Sequence, residues 1–158
     1  MYEVIDNFIA KENFEDLKNI LMTDDFPWFF SQNVNSEDTN NFYFTHTFFC
    51  NSNINSTYFG IVRPILNKLN IKNLIRVKGN LYPKTEQLEN HGQHIDYSFD
   101  HKGAIFYINT NNGFTVLEDG TKIESVENRL LIFDAYKMHN STNCTDQKVR
   151  ININFNYI

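Results

Sequence analysis

Cysteine is scarce in this chain of 158 residues, and its two copies, Cys50 and Cys144, lie far apart. The chain has no CxxC pair and no spacing typical of a zinc site. Proteins that use cysteine in this way are typical of reducing compartments. We therefore expect an intracellular, cytoplasmic setting.

Long apolar runs are also missing, and none approaches the roughly 20 residues needed to span a bilayer. The opening residues, Met1–Asp6, have neither the basic nor the apolar region of a signal peptide, so we expect none. The chain lacks an excess of positive charge as well, since its net charge is −5. Because neutralising phosphates needs a basic face, a nucleic-acid partner is disfavoured.

Aromatic residues are plentiful, at 15% of the chain, with 15 Phe and 8 Tyr. They supply much of the apolar surface that a core needs, and the length fits one domain. Charged residues make up 21%, which is too few and too evenly mixed for a disordered chain. We therefore expect residues 1–158 to form a single domain.

The first part of the chain shows helical periodicity between irregular stretches. Phe14, Leu17 and Leu21 recur at three- and four-residue spacing, which predicts a first helix. A second helix is expected after Ser56, a suitable N-cap. The polar stretch Ser31–Asn41 indicates a loop.

Short strands separated by turns are predicted later in the chain. The expected strands are Phe42–Cys50, Ile75–Tyr82, His94–Tyr97, Ala104–Asn109, Leu130–Asp134 and Val149–Tyr157. Asn111–Gly113 and Asp119–Gly120 have the composition of hairpin turns. This pattern favours a mainly β fold, a sandwich or jelly roll, with the N-terminal helices packed outside it.

His94 and Asp96 are separated by one residue on a predicted strand, so both side chains point to the same face. His139 is the best third ligand. Two histidines and one carboxylate form the facial triad of non-haem iron(II) oxygenases, which leaves three coordination positions open. Taken alone, the His94–Asp96 pair is weak evidence, and two polar side chains on a solvent-facing strand are the simpler interpretation.

Arg150 follows His139 by eleven positions, inside an alternating strand. It shares one face with Asn152, Asn154 and Asn156. That face is either solvated or lines the interior of a jelly roll. In the second case, Arg150 is a guanidinium fork that needs a carboxylate, because a buried unpaired arginine is costly.

The order of these residues resembles the core of prolyl-4-hydroxylase-like 2-oxoglutarate oxygenases, especially the small forms of marine phages and cyanobacteria. The matching stretches are Glu3–Phe8, Gly92–Asp96, Asn112–Thr115, Asn128–Phe133, Met138–Ser141 and Val149–Arg150. Two departures concern the family's glycine-glycine-acid-Thr run, which is only Gly113–Thr115 here, and a missing Pro before the third ligand.

The resemblance implies a double-stranded β-helix with iron(II) at its open end, bound by His94, Asp96 and His139. It further implies that Arg150 holds the distal carboxylate of 2-oxoglutarate, with Tyr82 and Asn152 as further contacts to this co-substrate. The implied reaction hydroxylates a C–H bond and releases succinate and CO2. The implied substrate is a small molecule or a peptidyl residue such as proline.

Three alternatives stay open at this point. A cupin-like metalloenzyme would use a jelly roll without 2-oxoglutarate, and would have no need of Arg150. A jelly-roll binding module would have no catalytic metal. The nucleic-acid demethylases of the AlkB type share an Arg-x-Asn pattern in the last strand, but they carry a second Arg where this chain has Asn156.

Other conspicuous residues have simpler interpretations. We expect His91 to be a surface loop histidine and His46 to be packed and hydrogen-bonded. The cluster Trp28–Phe30 is expected in the core, and Lys78 on a solvated strand face. The polar stretch Pro83–Gln93 leads directly into His94, so we expect it to border the substrate entrance as a movable lid or an ordinary surface loop.

Overall fold

The computed structural model describes residues 1–34 and 41–158. The middle of the predicted loop Ser31–Asn41 therefore lies outside the described residues. The strands are β1 Glu3–Ile5, β2 Phe29–Ser31, β3 Tyr43–Cys50, β4 Asn53–Ile54, β5 Leu74–Pro83, β6 Lys102–Tyr107, β7 Phe114–Leu117, β8 Lys122–Glu124, β9 Arg129–Asp134, β10 His139–Ser141 and β11 Val149–Tyr157. The helices are α1 Lys11–Leu21 and α2 Arg63–Leu66, the latter preceded by a 3-10 helix, Thr57–Val62.

A large antiparallel sheet forms the main layer of the fold. Within the described residues its order is β1-β9-β6-β11-β5-β3-β2, with β4 paired to β3. Helix α1 covers one face of this sheet, because Phe14, Leu17 and Leu21 all point to the same side and are buried. They share a core with outward residues of the central strands, among them Phe106 and Phe155. The prediction of this helix is confirmed.

A smaller sheet, β10-β7-β8, forms the second layer. A second apolar cluster, which includes Ile105, Leu117 and Leu131, draws on strands of both sheets. Asp119–Gly120 makes the predicted hairpin between β7 and β8, with Gly120 at a φ of +82°. The prediction of a hairpin at Asn111–Gly113 is wrong, because β6 and β7 belong to different sheets and this segment crosses between them. The predicted jelly-roll class is confirmed.

Two further elements differ from their predictions. His94–Tyr97 is not a regular strand, since only an isolated bridge between His94 and His139 ties it to the small sheet. The second helix is mostly 3-10, although Ser56 caps it as predicted by accepting a hydrogen bond from the Tyr58 N–H. No helix in the part of the chain that the structure describes has the length and apolar character needed to cross a bilayer.

The aromatic cluster at Trp28–Phe30 is divided between core and surface. Trp28 packs against the core, and its indole N–H donates to the Leu21 carbonyl at 3.2 Å. Phe29 and Phe30 are 61% and 64% exposed, so the prediction that they are core residues is wrong. They lie on β2, at the edge of the sheet, where Phe29 stacks on His46 and Phe30 contacts Phe42 and Phe44, and both rings stay mostly exposed.

Asn128 joins the N-terminal segment to the sheet. The Ile9 N–H donates to Asn128 Oδ1 at 3.1 Å, and Asn128 Nδ2 donates back to the Ile9 carbonyl at 2.9 Å. The Asn128 backbone contributes two more bonds, to Phe8 and Tyr107. Its φ is +57°, a conformation that asparagine tolerates better than most residues.

We predict that Asn128→Ala lowers the free energy of unfolding by about 2–4 kcal/mol. The substitution leaves the Ile9 N–H and carbonyl without their side-chain partner, and it puts alanine at a positive φ. Asn128→Gly loses the same side-chain bonds without the strain, and should therefore be about 1–2 kcal/mol less destabilising. Urea unfolding of the wild type, Asn128→Ala and Asn128→Gly separates the cost of the lost hydrogen bonds from the cost of the backbone strain. Equal stability of all three would contradict the assignment.

Candidate active site

The pairing of β5 with β11 lays out the polar floor of a cavity between the two sheets. Its register places four polar pairs directly opposite each other on one face. They are Arg76 with Asn156, Lys78 with Asn154, Asn80 with Asn152, and Tyr82 with Arg150. Two of these pairs, Lys78 with Asn154 and Asn80 with Asn152, line the cavity with both side chains, and the other two contribute Arg76 and Tyr82. The cavity volume is about 250 Å³. The polar face of β11 is therefore the interior of the jelly roll and not a solvated surface.

The three predicted metal ligands meet at this cavity. One ligand atom each of His94, Asp96 and His139 lies within 4.8 Å of the others. Two backbone hydrogen bonds of 2.9 Å join His94 and His139 in both directions, so the two imidazoles stand side by side, with ring centroids 4.6 Å apart. Asp96 Oδ2 lies 4.0 Å from His139 Nε2. The cluster has the spacing and ligand types of a site for one divalent metal.

Both carboxylate oxygens of Asp96 are fixed by β5 and β11. Arg76 donates to Asp96 Oδ1 at 3.0 Å, and Asn156 Nδ2 donates to Oδ2 at 2.7 Å. Arg76 also donates to Asn156 Oδ1 at 3.1 Å, which closes the network. Burial alone would raise the pKa of Asp96, but the Arg76 charge and the remaining contacts lower it below its ordinary value. Asp96 is therefore ionised at neutral pH, as a metal ligand must be.

His139 is prepared for a metal by its own hydrogen bond. Its Nδ1 lies 2.9 Å from the Lys137 carbonyl oxygen, which makes Nδ1 the protonated nitrogen. Nε2 is buried and has no hydrogen-bond partner within the described residues. Burial lowers the pKa of His139, so the ring is neutral near pH 7 and Nε2 carries a lone pair.

Arg150 is fully buried at the inner end of the site. Its Nε donates to Ser125 Oγ at 2.8 Å, and Nη1 donates to Ser141 Oγ at 2.8 Å and to the Thr142 carbonyl at 3.1 Å. All these partners are neutral, and no carboxylate of the described residues pairs with the guanidinium. Burial lowers the pKa of Arg150, although an arginine stays charged in proteins.

Gly113 makes room for this arginine. A Cβ at Gly113 would overlap the Asn143 carbonyl oxygen and lie 2.5 Å from Arg150 Cδ. The backbone at Gly113 therefore forms one wall of the arginine's chamber. The short run Gly113–Thr115 therefore retains the glycine that Arg150 needs.

Tyr82 and Asn152, the other two predicted co-substrate contacts, both line the cavity. Tyr82 stacks on Tyr43, with ring centroids 5.5 Å apart and 13° between the planes. Burial raises the pKa of Tyr82 to about 12, so its hydroxyl keeps its proton. Asn152 Oδ1 accepts a hydrogen bond from Asn80 at 3.0 Å. Along the polar floor, Tyr82 lies opposite Arg150, and Asn152 lies one pair closer to the residues that hold Asp96.

Several residues near the cavity were not singled out from the sequence. Ser125, Ser141 and Thr142 hold Arg150, and Tyr107 lies under its guanidinium, 5.8 Å from ring centroid to Cζ. Small hydroxyl residues carry no distinctive spacing; Ser141 lies on β10 two residues after His139, and therefore on the same face. The Arg76–Asp96 pair joins residues twenty positions apart and has no local signal.

Two interpretations of single residues need correction. Lys78 is not solvated: it lines the cavity and donates to the Tyr43 hydroxyl at 3.1 Å. His91 is buried and stacks on Tyr82, with centroids 5.0 Å apart, so it is no surface residue. The prediction for His46 is confirmed, since its ring nitrogens lie 2.8 Å from the Pro27 carbonyl and 2.7 Å from Ser56 Oγ.

The stretch Pro83–Gln93 is tied to the chain that follows β10. Backbone N–H groups of Lys84, Thr85 and His91 donate to carbonyls of the 141–148 segment. The Glu89 N–H donates to Asn143 Oδ1 at 2.9 Å. These bonds fix the stretch beside the cavity, and its lid role stays a prediction.

No family model and no curated protein sequence matches the chain. Solved structures do match it over nearly its whole length. A viral collagen prolyl hydroxylase of Paramecium bursaria Chlorella virus-1, in complex with 2-oxoglutarate, is 15% identical with a TM-score of 0.65, covering 99% of this chain and 96% of that one. The chain has the fold of the 2-oxoglutarate–Fe(II) oxygenases.

Two bacterial structures agree with this oxygenase fold. A prolyl-4-hydroxylase of Pseudomonas putida is 13% identical, with a TM-score of 0.65 over 99% of this chain and 91% of that one. A 2-oxoglutarate–Fe(II) oxygenase-family oxidoreductase of Burkholderia pseudomallei is 10% identical, with a TM-score of 0.71 over 99% and 84%. At such identities, the similarity is one of fold.

We predict that Gly113→Ala displaces the Arg150 side chain and lowers the free energy of unfolding by about 1–3 kcal/mol, as expected for an overpacked interior. Gly60→Ala is the matched control, because a Cβ at Gly60 would meet nothing within 4 Å. Lying in the 3-10 helix, it should be neutral or slightly stabilising. Thermal and urea unfolding compare the two, and equal effects would rule out the close approach at Gly113.

Proposed function

We propose that residues 1–158 act as one 2-oxoglutarate- and Fe(II)-dependent dioxygenase domain. The reaction converts a substrate C–H bond, O2 and 2-oxoglutarate into a C–OH group, succinate and CO2. Oxidation of the co-substrate thereby supplies the two electrons that O2 needs beyond those from the C–H bond. When bound, iron(II) and 2-oxoglutarate supply the activation of O2; the protein binds, orients and encloses the reactants.

The observation that carries this proposal is the buried guanidinium of Arg150. A buried charge without a charged partner is costly. Such a charge is expected where a bound ligand supplies the opposite charge. Its neutral partners hold the fork in place without neutralising it. The C5 carboxylate of 2-oxoglutarate is the complementary group, because it would neutralise the guanidinium and accept a charge-assisted hydrogen bond from Nη2, whose bond to Thr115 Oγ1 is long at 3.4 Å.

His94, Asp96 and His139 fit iron(II) by both chemistry and geometry. The donor set is two imidazoles and one carboxylate, which suits ferrous iron without a thiolate. The unpartnered Nε2 of buried His139 is the most specific sign, since a buried polar atom without a partner is rare in proteins. Three protein ligands leave three positions for the co-substrate and O2.

Other residues of the cavity would orient the co-substrate. Tyr82, protonated up to about pH 12, can donate a hydrogen bond to a carboxylate. Asn152 offers its amide on the same face of the floor, one pair closer to the metal ligands. The cluster of Ile105, Leu131 and Phe133 closes the space between the sheets and keeps bulk water from the reacting groups.

Arg150 also separates this proposal from its alternatives. A cupin-like enzyme that does not use 2-oxoglutarate has no use for a buried guanidinium beside the metal ligands. A binding module without catalysis would need neither the orphan Nε2 of His139 nor this arginine. Formation of succinate by the iron-loaded protein distinguishes the proposed dioxygenase from both.

The substrate is the finer part of the proposal. The prolyl hydroxylases among the structural neighbours make a peptidyl proline one candidate. A free small molecule is the other candidate. Turnover of prolyl peptides and free acids, measured as succinate above the substrate-free rate, decides between them.

We predict that His94→Ala and His139→Ala each weaken iron(II) binding by more than about 100-fold, because losing a direct ligand exceeds the 10- to 100-fold typical of outer partners. Metal content after anaerobic loading and competitive chelation measures this. His46→Gln is the control, since it alters a histidine outside the cavity and should keep one iron per chain. Stoichiometric iron in both alanine variants would reject the ligand assignment.

We predict that Arg150→Ala weakens 2-oxoglutarate binding by about 2–5 kcal/mol, the cost of leaving a carboxylate unpaired in a dry pocket. Iron binding should persist, because Arg150 does not touch the triad. Anaerobic titration of the metal-loaded proteins gives both constants. Arg129→Ala, which removes an arginine paired with Asp6 on the surface, is the control. If wild type and Arg150→Ala bind 2-oxoglutarate equally, the arginine has another role.

A further inference from the structure

Lys78 occupies the cavity floor one pair away from the Asp96 network. It faces Asn154 across the β5–β11 pairing, next to the Arg76–Asn156 pair that holds Asp96. Its Nζ donates to the Tyr43 hydroxyl and lies 5.4 Å from the centre of that ring. No carboxylate of the described residues lies within ion-pair distance of it. The proposed function assigns it no role.

The cavity carries an excess of positive charge that the proposed ligands leave in place. Arg76 and Lys78 line the cavity, Arg150 lies behind its wall and donates to the lining residue Ser141, and Asp96 is the single carboxylate among the described lining residues. The histidines bind metals as neutral rings. Because iron(II) and 2-oxoglutarate carry equal and opposite charge, the protein's own excess of two positive charges remains. A bound substrate that is an anion is therefore favoured.

Asn154 adds a second requirement. Its Oδ1 is buried and has no hydrogen-bond partner within the described residues. A buried acceptor without a donor is costly, so a ligand that brings a donor to this point gains binding free energy. Side chains directly opposite each other in such a pair have Cβ atoms about 4.5–5.5 Å apart. A carboxylate at Lys78 and a donor at Asn154 can therefore belong to one small ligand.

From these contacts we infer that the substrate is a small free carboxylic acid with a hydroxyl or amino group beside its carboxylate. Lys78 binds the carboxylate, and Asn154 accepts the adjacent donor. This inference rests on the proposed dioxygenase function and names its substrate class. It makes Lys78 a specificity-determining residue.

A residue inside a peptide fits these groups poorly. Its α-carboxylate and α-amino group are consumed in amide bonds, so it has no charge for Lys78. The cavity volume of about 250 Å³ lies just below the roughly 300–1,000 Å³ of pockets for larger ligands, and it must also hold the co-substrate. A small free acid satisfies both the charge and the size.

The test is anaerobic calorimetric titration of the iron(II)–2-oxoglutarate complex with paired probes. The probes are α-hydroxy and α-amino acids of two to six carbons, each beside its carboxamide, and blocked prolyl peptides. We expect at least one acid to bind tenfold or more tightly than its carboxamide and than the peptides. Lys78→Met should reduce that preference to twofold or less, and Lys78→Arg should retain it.

Two further variants keep the test decisive. Asn154→Asp places a carboxylate opposite Lys78 and should abolish the preference even if Lys78→Met fails to fold. Lys148→Met removes one positive charge from an exposed lysine outside the cavity and should leave the preference unchanged.

The inference is overturned if no acid is preferred over its carboxamide, or if prolyl peptides bind more tightly. It is also overturned if Lys78→Met weakens the binding of 2-oxoglutarate and leaves the binding of the acid unchanged. That result would assign Lys78 to the co-substrate. Failure of the proposed function has a different signature: aerobic wild-type protein with iron(II) would form no succinate from 2-oxoglutarate. Succinate formation without acid preference would remove this inference alone.

Discussion

β5 and β11 pair over nearly their full length, and the register of that pairing determines where the polar groups of the cavity floor lie. It sets Arg150 opposite Tyr82 at one end of the floor and Asn156 opposite Arg76 at the other. A slip of one residue would turn the whole polar row toward helix α1 and the apolar row into the cavity. The register is held by that apolar row, Ile151, Ile153 and Phe155, which packs into the main core. One face of β11 therefore packs in the core, and its other face carries polar groups of the site.

The same arrangement explains how the fold tolerates so many buried polar groups. The Asp96 carboxylate is neutralised by Arg76 and held by Asn156, so it is fully satisfied. Arg150 is hydrogen-bonded but not neutralised, and His139 Nε2 and Asn154 Oδ1 are not satisfied within the described chain. Of these three groups, His139 and Asn154 line the cavity, and Arg150 adjoins it. In native structures, buried polar groups without a partner are rare, and a binding site is a common explanation for them.

Much of the site was accessible from the sequence, because its signals are local. His94 and Asp96 share a face by their spacing, and alternation in β11 put Arg150 and three asparagines in one row. The partners of that row are not accessible from the sequence, because the β5–β11 pairing joins its members to residues 68 to 80 positions away. The solvated interpretation of Lys78 fails for this reason. The Arg76–Asp96 pair joins residues twenty positions apart, and no local pattern marks it. Phe29 and Phe30 were misassigned for a related reason: an edge strand and a central strand have the same local composition.

The backbone bonds between His94 and His139, and the grip of Arg76 and Asn156 on Asp96, hold the three ligand side chains together through protein contacts alone. In small zinc domains, by contrast, the free energy of metal binding is also the free energy of folding. Here the two processes are separable. We therefore expect the protein to fold and accumulate while iron is scarce, and to become active when the metal returns.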